Sequence, residues 1–336
     1  MDILQTSRFI QRRNNSDEVN YGLRRDPQKS ESPSEIERIC ERKCREYQYE
    51  LSQQNLLDST DEHLSPESQC SMPIDPRISG GPEIEGKEFP HMVALGWFEK
   101  HLKFIHRCGG SLISEKWILT ASHCTDNFLK KRGVARLGTT SLSAIRSGTI
   151  IGVVEIVRHP EYKHPKLYAD IALMRLARPV VFSDTISPAC LHSRFGGVTE
   201  TVWATGWGSL QFGDVQIQDN LHKVKLEIID TLPCALAYKR TIAIPHGIAP
   251  SMLCAGDPRG GWKRDTCNGD SGGPLQIYNV ETCMHVIVGI TSFGKLCGTP
   301  DFPGVYTRVA YYLDWIESIV WPAITSSLYH SYQRSH

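Results

Sequence analysis

From about residue 78 onward the sequence predicts an all-β fold, a sandwich or barrel of short strands closed by one helix. The first observation is a series of short apolar or alternating runs: HMVALGWF, GGSLISEKWILTAS, IIGVVEIVRH, DIALMRL, TVWATGWG, HKVKLEIID, HVIVGITSF and GVYTRV. The second is what separates them, which is Gly, Pro and polar turn residues; many short strands broken by turn signals mark a sandwich or barrel. The third is the stretch YYLDWIESIVW, whose apolar residues recur at helical spacing and predict a closing helix. The last residues, AITSSLYHSYQRSH, read as a frayed tail over 322–336.

The segment before residue 78 has a different texture. It is polar and charged with few aromatic and β-branched residues, a composition that suits a poorly packed segment. Within it, residues 34–57, SEIERICERKCREYQYELSQQNLL, favour a helix, because Glu, Arg and Lys dominate and no Gly or Pro intervenes. SMPIDPR follows with two prolines and predicts an exposed linker. The chain thus divides into a leading segment at 1–77, a body at 78–321 and a tail at 322–336.

The 336 residues are 40% hydrophobic and 22% charged, with formal net charge zero. That balance permits a core of ordinary size. It gives no reason to expect nucleic acid or an anionic membrane as partner, and no run of about eighteen apolar residues is present to span a bilayer. The eleven cysteines are more informative. Metal sites favour Cys-x2-Cys or His pairs, whereas the nearest approach here, Cys40 and Cys44, has three residues between its members and no second pair. Disulfides are the better reading and imply an oxidising compartment. The odd count leaves at least one cysteine without an intrachain partner. The start, MDILQTSRFIQRRNNSDEV, holds no apolar stretch of the length a secretory leader needs, so the expectation is a secreted, extracellular protein whose start here is incomplete or mispredicted, with unconventional secretion as the alternative.

Three motifs carry chemistry: Thr120-Ala121-Ser122-His123-Cys124, Asp170-Ile171-Ala172-Leu173 and Gly269-Asp270-Ser271-Gly272-Gly273-Pro274. Singly, each has a plain structural reading: a packed core histidine, a turn aspartate, a tight glycine turn. Jointly they supply what acyl transfer needs. A serine hydroxyl is a weak nucleophile, and an imidazole titrating near neutrality can take its proton and return it to the leaving amine. A carboxylate on the other ring nitrogen fixes the tautomer and stabilises the imidazolium. Glycines beside the serine permit a sharp turn and close substrate approach.

With these motifs in the order His, Asp, Ser, the chain resembles the chymotrypsin-like serine proteases, from ISGG at Ile78 through GVYTRV to the terminal helix. The resemblance implies two six-stranded antiparallel β-barrels, a C-terminal helix and a disulfide-tethered pro-segment ahead of residue 78. It implies His123 as base and acid, Asp170 as its orienting carboxylate, Ser271 as nucleophile, and the N–H groups of Gly269 and Ser271 as the oxyanion hole. Asp265, six positions before Ser271, matches the acid at the base of the primary pocket in trypsin-like members, with Gly294 and Gly304 as small wall residues; this implies cleavage after Arg or Lys. Ser292 matches a substrate-binding serine, and Phe293 stands where the family has Trp. Ser122 replaces the more usual Ala. The resemblance also implies activation by cleavage between Arg77 and Ile78, whose new ammonium would pair with Asp270; Ser79 replaces the usual Val.

By the same resemblance, Cys108–Cys124, Cys234–Cys254 and Cys267–Cys297 are bridges of the body, Cys190 pairs with Cys70, and Cys44–Cys283 is a second tether. KCREY, FPHMVALGW, TCM and GITSFGKLCG are similar to segments of the Snake-type clip-domain proteases of arthropods. A full clip domain has six cysteines of its own, which this chain does not supply, so 1–77 reads as a degenerate or incomplete clip region. The loop TTSLSAIRSGT, where some relatives bind calcium, has no acid; calcium requires carboxylates and carbonyls, so no metal is expected, and no cofactor. The implied partners are a protein substrate, namely a downstream zymogen in an immune or developmental cascade, an upstream activating protease and a serpin-type inhibitor. Two other readings share the motifs: a non-catalytic homologue acting as scaffold, against which all three triad positions are filled, and a digestive trypsin, against which the long pro-segment argues.

Overall fold

The computed structural model describes residues 37–58, 86–144, 146–198, 201–209, 216–262, 265–295 and 297–322. Strands β1 (Met92–Phe98), β2 (Phe104–Leu112), β3 (Trp117–Thr120), β4 (Val134–Leu137), β5 (Thr149–Arg158) and β6 (Ala172–Leu176) form a closed barrel in the order β1-β2-β3-β6-β5-β4. Every pairing in it is antiparallel. A two-residue strand, β7 (Cys190–Leu191), follows. Then come β8 (Thr201–Gly206), β9 (His222–Ile229), β10 (Met252–Gly256), β11 (Pro274–Asn279), β12 (Met284–Phe293) and β13 (Gly304–Arg308). These six run in the order β11-β8-β9-β10-β13-β12, and pairing of β11 with β12 closes the second ring. β7 adds to β12 in parallel. The two six-stranded barrels are those the sequence resemblance implies.

The apolar runs are continuous where both strand faces are buried. In β1, Val93 and Leu95 enter the first barrel's core, while Met92 and Ala94 face a cluster with Phe89, Trp207 and Leu221. The second barrel is filled by Val202, Ala204, Leu226, Leu253, Ala255, Leu275, Val288 and Tyr306. Its inward residues alternate along each strand, as the pleat requires. Between the strands lies a short helix, α2 (Thr231–Ala237), and the chain closes with α3 (Leu313–Val320). Leu313, Ile316 and Val320 of α3 are buried at the predicted helical spacing.

The leading segment contributes more structure than its composition suggests. Residues Ile39–Asp58 form a twenty-residue helix, and we label it α1. It belongs to the same compact unit as both barrels. Its first half does the packing: Ile39, Cys40 and Tyr47 are buried. The Tyr47 ring meets Phe182 edge-on at 5.5 Å, and its hydroxyl accepts a hydrogen bond from Trp321 Nε1 at 3.3 Å. Just ahead of the helix, Arg38 pairs with Asp314 and with Glu317 of α3, the latter at 3.0 Å. The buried Glu317 also accepts from the Cys40 amide at 3.0 Å.

This packing corrects two implied disulfides. Cys44 lies on α1 against β7 and is bonded to Cys190, with Cα atoms 5.2 Å apart. Cys190 therefore does not pair with Cys70, nor Cys44 with Cys283. Cys283 is itself disulfide-bonded, and Cys70 lies outside the described residues. Cys40 is free and buried. The other three pairings, Cys108–Cys124, Cys234–Cys254 and Cys267–Cys297, are present. Glu317→Ala is expected to remove the hub that joins α1 to α3 and to lower stability by about 2 kcal/mol. Thermal melts in a Ser271→Ala background, which prevents self-digestion, measure it; an unchanged melting temperature contradicts the assignment.

Candidate active site

The nucleophile motif folds as a turn because two of its glycines adopt backbone angles closed to other residues. Gly269 has φ +105° and Gly272 has φ +75°, a region that side chains with a Cβ rarely enter. A Cβ on Gly272 would also lie 2.2 Å from Thr120 Oγ1. The turn is pinned from both barrels: Gly272 N donates to Thr291 O at 2.8 Å, and Gly109 N donates to Ser271 O at 2.8 Å. On its other flank, Ser209 N donates to Asn268 O at 2.9 Å. In a trans peptide the C=O and the next N–H point oppositely, so this bond turns the Gly269 N–H to the open side. His106 Nε2 donates to Gly269 O at 3.0 Å, and burial holds that imidazole neutral by lowering its pKa to about 4. Among the described residues neither the Gly269 nor the Ser271 amide donates a hydrogen bond. Two free N–H groups beside a serine can receive an oxyanion.

Strand register brings His123 to Asp170. Thr120 of β3 pairs with Ala172 of β6, so the tight turn Ser122–Thr125 and the residue before Ile171 emerge side by side at one barrel end. His123 Nδ1 lies 2.8 Å from Asp170 Oδ2, and the His123 amide donates to Oδ1 at 3.0 Å. Asp170 is fully buried. Ser292 Oγ also donates to Oδ2, and Thr307 Oγ1 donates to the Asp170 carbonyl at 2.8 Å. Ser122 Oγ donates to Ile171 O at 2.7 Å. The serine that departs from the family's Ala thus fastens the Asp170 segment to the His123 turn. The carboxylate fixes the proton on Nδ1 and leaves the Nε2 lone pair available. Ser271 Oγ makes no hydrogen bond among the described residues; in unliganded sites this contact is often loose and tightens with substrate. The Cys108–Cys124 bridge joins the strand that holds Ser271 O to the turn that carries His123. Its sulfurs are bonded to each other, so they offer no thiolate for a metal beside His123.

Asp265, Gly294 and Gly304 outline the candidate pocket. Asp265 accepts from Thr266 N at 2.8 Å and Gly298 N at 3.1 Å. A Cβ on Gly304 would sit 3.2 Å from Asp265 Oδ1, and one on Gly294 would sit 3.9 Å from Gly304 Cα. The two glycines therefore face each other above the carboxylate, where larger residues would fill the space. Phe293 meets Tyr238 edge-on at 5.8 Å, and Cys267–Cys297 ties the chain just after Asp265 to the chain just before Gly298. Ser292, next to Phe293, spends its hydroxyl on Asp170. Burial raises the Asp265 pKa to about 7, against the two amide bonds. A cation binds the ionised form, so benzamidine is expected to bind about tenfold more weakly at pH 6 than at pH 8. Calorimetry in two buffers would detect the released proton, and a flat profile contradicts the assignment.

Asp270 lies beneath the turn. It accepts from Gly208 N and Cys267 N, each at 2.8 Å. A Cβ on Gly206 would lie 2.0 Å from its Oδ1. Burial raises its pKa to about 6, and among the described residues it has no cationic partner. Arg77 and Ile78 lie outside the described residues.

One support was invisible in the sequence. The guanidinium of Arg136, a buried residue, donates to the carbonyls of Leu142, Ser141 and Ala144, the last at 2.9 Å. The acid-free loop is thus organised around a resident cation. Thr140 O in turn accepts from Trp207 Nε1 at 2.9 Å and Leu221 N at 2.7 Å. This fixes the segment whose Gly208 and Ser209 amides hold the nucleophile turn.

The trypsin family model matches residues 78–316. The chain is 40% identical over 289 residues to "Serine protease snk" of Drosophila melanogaster, across 84% of this chain and 65% of that protein. It is 38% identical to bovine (Bos taurus) coagulation factor XI, across 74% of this chain and 38% of that protein. The clotting factor G beta subunit of Tachypleus tridentatus is 33% identical, across 78% of this chain and 86% of that protein. The match thus spans less than two thirds of the first two relatives. The solved structure of mouse neuropsin, a serine protease expressed in the limbic system of mouse brain, aligns with TM-score 0.59 at 31% identity, covering 71% of this chain and 98% of that one.

Proposed function

This chain belongs to the trypsin family, and from that premise we propose that it is a secreted serine endopeptidase precursor that cleaves after Arg or Lys once cut between Arg77 and Ile78. The observation that carries the reading is the joint geometry: a buried carboxylate on His123 Nδ1, two free amides beside Ser271, and an acid-floored, glycine-walled pocket. In this reading Asp265 binds the substrate's Arg or Lys side chain as a charge-assisted pair. His123 Nε2 takes the Ser271 proton as Oγ attacks the scissile carbonyl. The Gly269 and Ser271 N–H groups stabilise the oxyanion, and His123 returns the proton to the leaving amine. Water then repeats the sequence to release the acyl group.

The switch rests on Asp270. A buried carboxylate without a cation is unfavourable by several kcal/mol in general, and the Ile78 ammonium created by cleavage supplies one. The Cys44–Cys190 bond keeps α1 attached afterwards. Two relatives are named as a coagulation factor and a clotting factor subunit, which supports a role in an extracellular cascade with a zymogen as substrate, an upstream activating protease and a serpin-type inhibitor. The test is hydrolysis of matched Arg, Lys and Phe peptides before and after cleavage at Arg77–Ile78, with Ser271→Ala as control. Activity on Arg or Lys only after the cut is expected; a Phe preference, or no activity in folded, cleaved protein, overturns the reading.

A further inference from the structure

Two exposed stretches flank His123 and carry an excess of positive charge. Lys100 and Lys103 lie in the hairpin between β1 and β2, Arg107 lies in β2, and Lys130, Lys131 and Arg132 lie in the turn before β4; all six are exposed. The same stretches hold two acids, Glu99 and Asp126, and Asp126 is paired with Arg158 at 2.8 Å. None of the six cations is ion-paired among the described residues. The chain as a whole has net charge zero, so this is a local segregation. A face that serves only solubility mixes both signs and carries ion pairs.

The stretches are neighbours, and they adjoin the reacting atoms. Lys131 Nζ lies 3.8 Å from the centroid of Trp97 at the end of β1, and Phe128 meets that ring edge-on at 6.5 Å. Arg107 donates to the His123 carbonyl at 3.3 Å and immediately precedes Cys108 of the bridge beside the catalytic turn. In the proposed function Asp265 takes the residue before the scissile bond. His123 serves the leaving amine, so the chain after the bond departs across Cys108–Cys124 and Arg107 toward the six cations.

We infer that this surface is a docking strip for the leaving-group side of the substrate and selects proteins with an acidic segment shortly after the scissile bond. The inference deepens the proposed endopeptidase activity and rests on it. Clustered charge of one sign raises encounter rates with an oppositely charged segment and adds modest rim pairs. Its effect must therefore fall with salt.

The test uses cleaved enzyme and three substrates sharing one sequence before the bond. One is an Arg anilide with nothing after it. The second is a peptide with alanines after the bond, and the third has Asp or Glu at the second to fifth positions after it. The acidic peptide is expected to exceed the alanine peptide in kcat/KM by about fivefold or more at low salt, with the ratio falling to about one at 1 M salt. The triple substitution Lys130→Gln, Lys131→Gln, Arg132→Gln should reduce the preference and leave anilide hydrolysis unchanged. If the anilide is not cleaved, the endopeptidase reading itself fails. If the anilide is cleaved but both peptides react equally at low salt, the docking strip is overturned. It is overturned also if heparin binds the wild type while the peptides show no preference, which would make the surface a polysaccharide site.

Discussion

Ser271→Ala in the cleaved protein is expected to lower kcat on an Arg anilide by roughly 10^6, and His123→Ala by a similar factor. The double variant should be no worse than either single one. The reason is that neither group works alone. Ser271 without a base is an ordinary alcohol, and His123 without the hydroxyl has no proton to move. Asp170→Ala should cost less, roughly 10^4, because the imidazole survives but loses its tautomer and its anchor. The structure adds a cost specific to this site. Ser292 Oγ and the His123 amide both donate to the fully buried Asp170 carboxylate, and both would lose their acceptor. Kinetics with active-site titration, to subtract contaminating enzyme, measure all four variants. A double variant as slow as the product of the single effects would show independent action and reject the shared proton path.

The candidate residues in those variants stand out in sequence because the proposed chemistry demands unusual local patterns: a serine between left-handed glycines, and a histidine beside a bridged cysteine. The second layer does not. Thr307 lies 137 residues from Asp170 and reaches its carbonyl only because β13 of the second barrel meets the end of the first one there. His106 and Arg136 act through backbone carbonyls, which any polar side chain could reach, and Ser209 acts through its own backbone amide, which every residue but proline has, so no residue pattern announces them. Ser122 replaces the family's more usual Ala, and its hydroxyl binds Ile171 O between the ends of β3 and β6.

The barrels could be expected from alternating runs and the resemblance, since each strand's inward residues are set locally. The partners of Cys44 and Cys190 could not. Spacing leaves connectivity open, and what decides it here is the docking of α1 on β7 and α3. That docking hangs on Arg38, Glu317 and a few buried residues of a helix that otherwise reads as solvated. A helix of good intrinsic propensity was predictable at 34–57; that it would bring Cys44 to Cys190 required knowing what Glu317 would bind.

Asp265→Asn should separate what the pocket acid does for function from what it does to stability. The substitution keeps size and an acceptor and removes the charge. A substrate Arg then enters a buried site without a counter-ion, and kcat/KM on Arg and Lys peptides should fall about 10^3-fold. The stability effect has the opposite sign. Burial raises the Asp265 pKa to about 7, above its value of about 4 in the unfolded chain. Below pH 4 both states hold the proton and the residue contributes nothing. Between pH 4 and 7 the unfolded state ionises first, and the free enzyme loses stability as pH rises. The asparagine has no such penalty. The variant should therefore melt with the parent near pH 4 and above it at pH 8, read in the Ser271→Ala background. Benzamidine should narrow that gap at pH 8, because it supplies the missing cation to the parent alone. A variant that loses Arg cleavage but gains no stability at pH 8 would mean that the parent's pocket solvates its carboxylate well. The acid would then act by steering charged side chains toward the mouth, and not as a desolvated charge awaiting its partner.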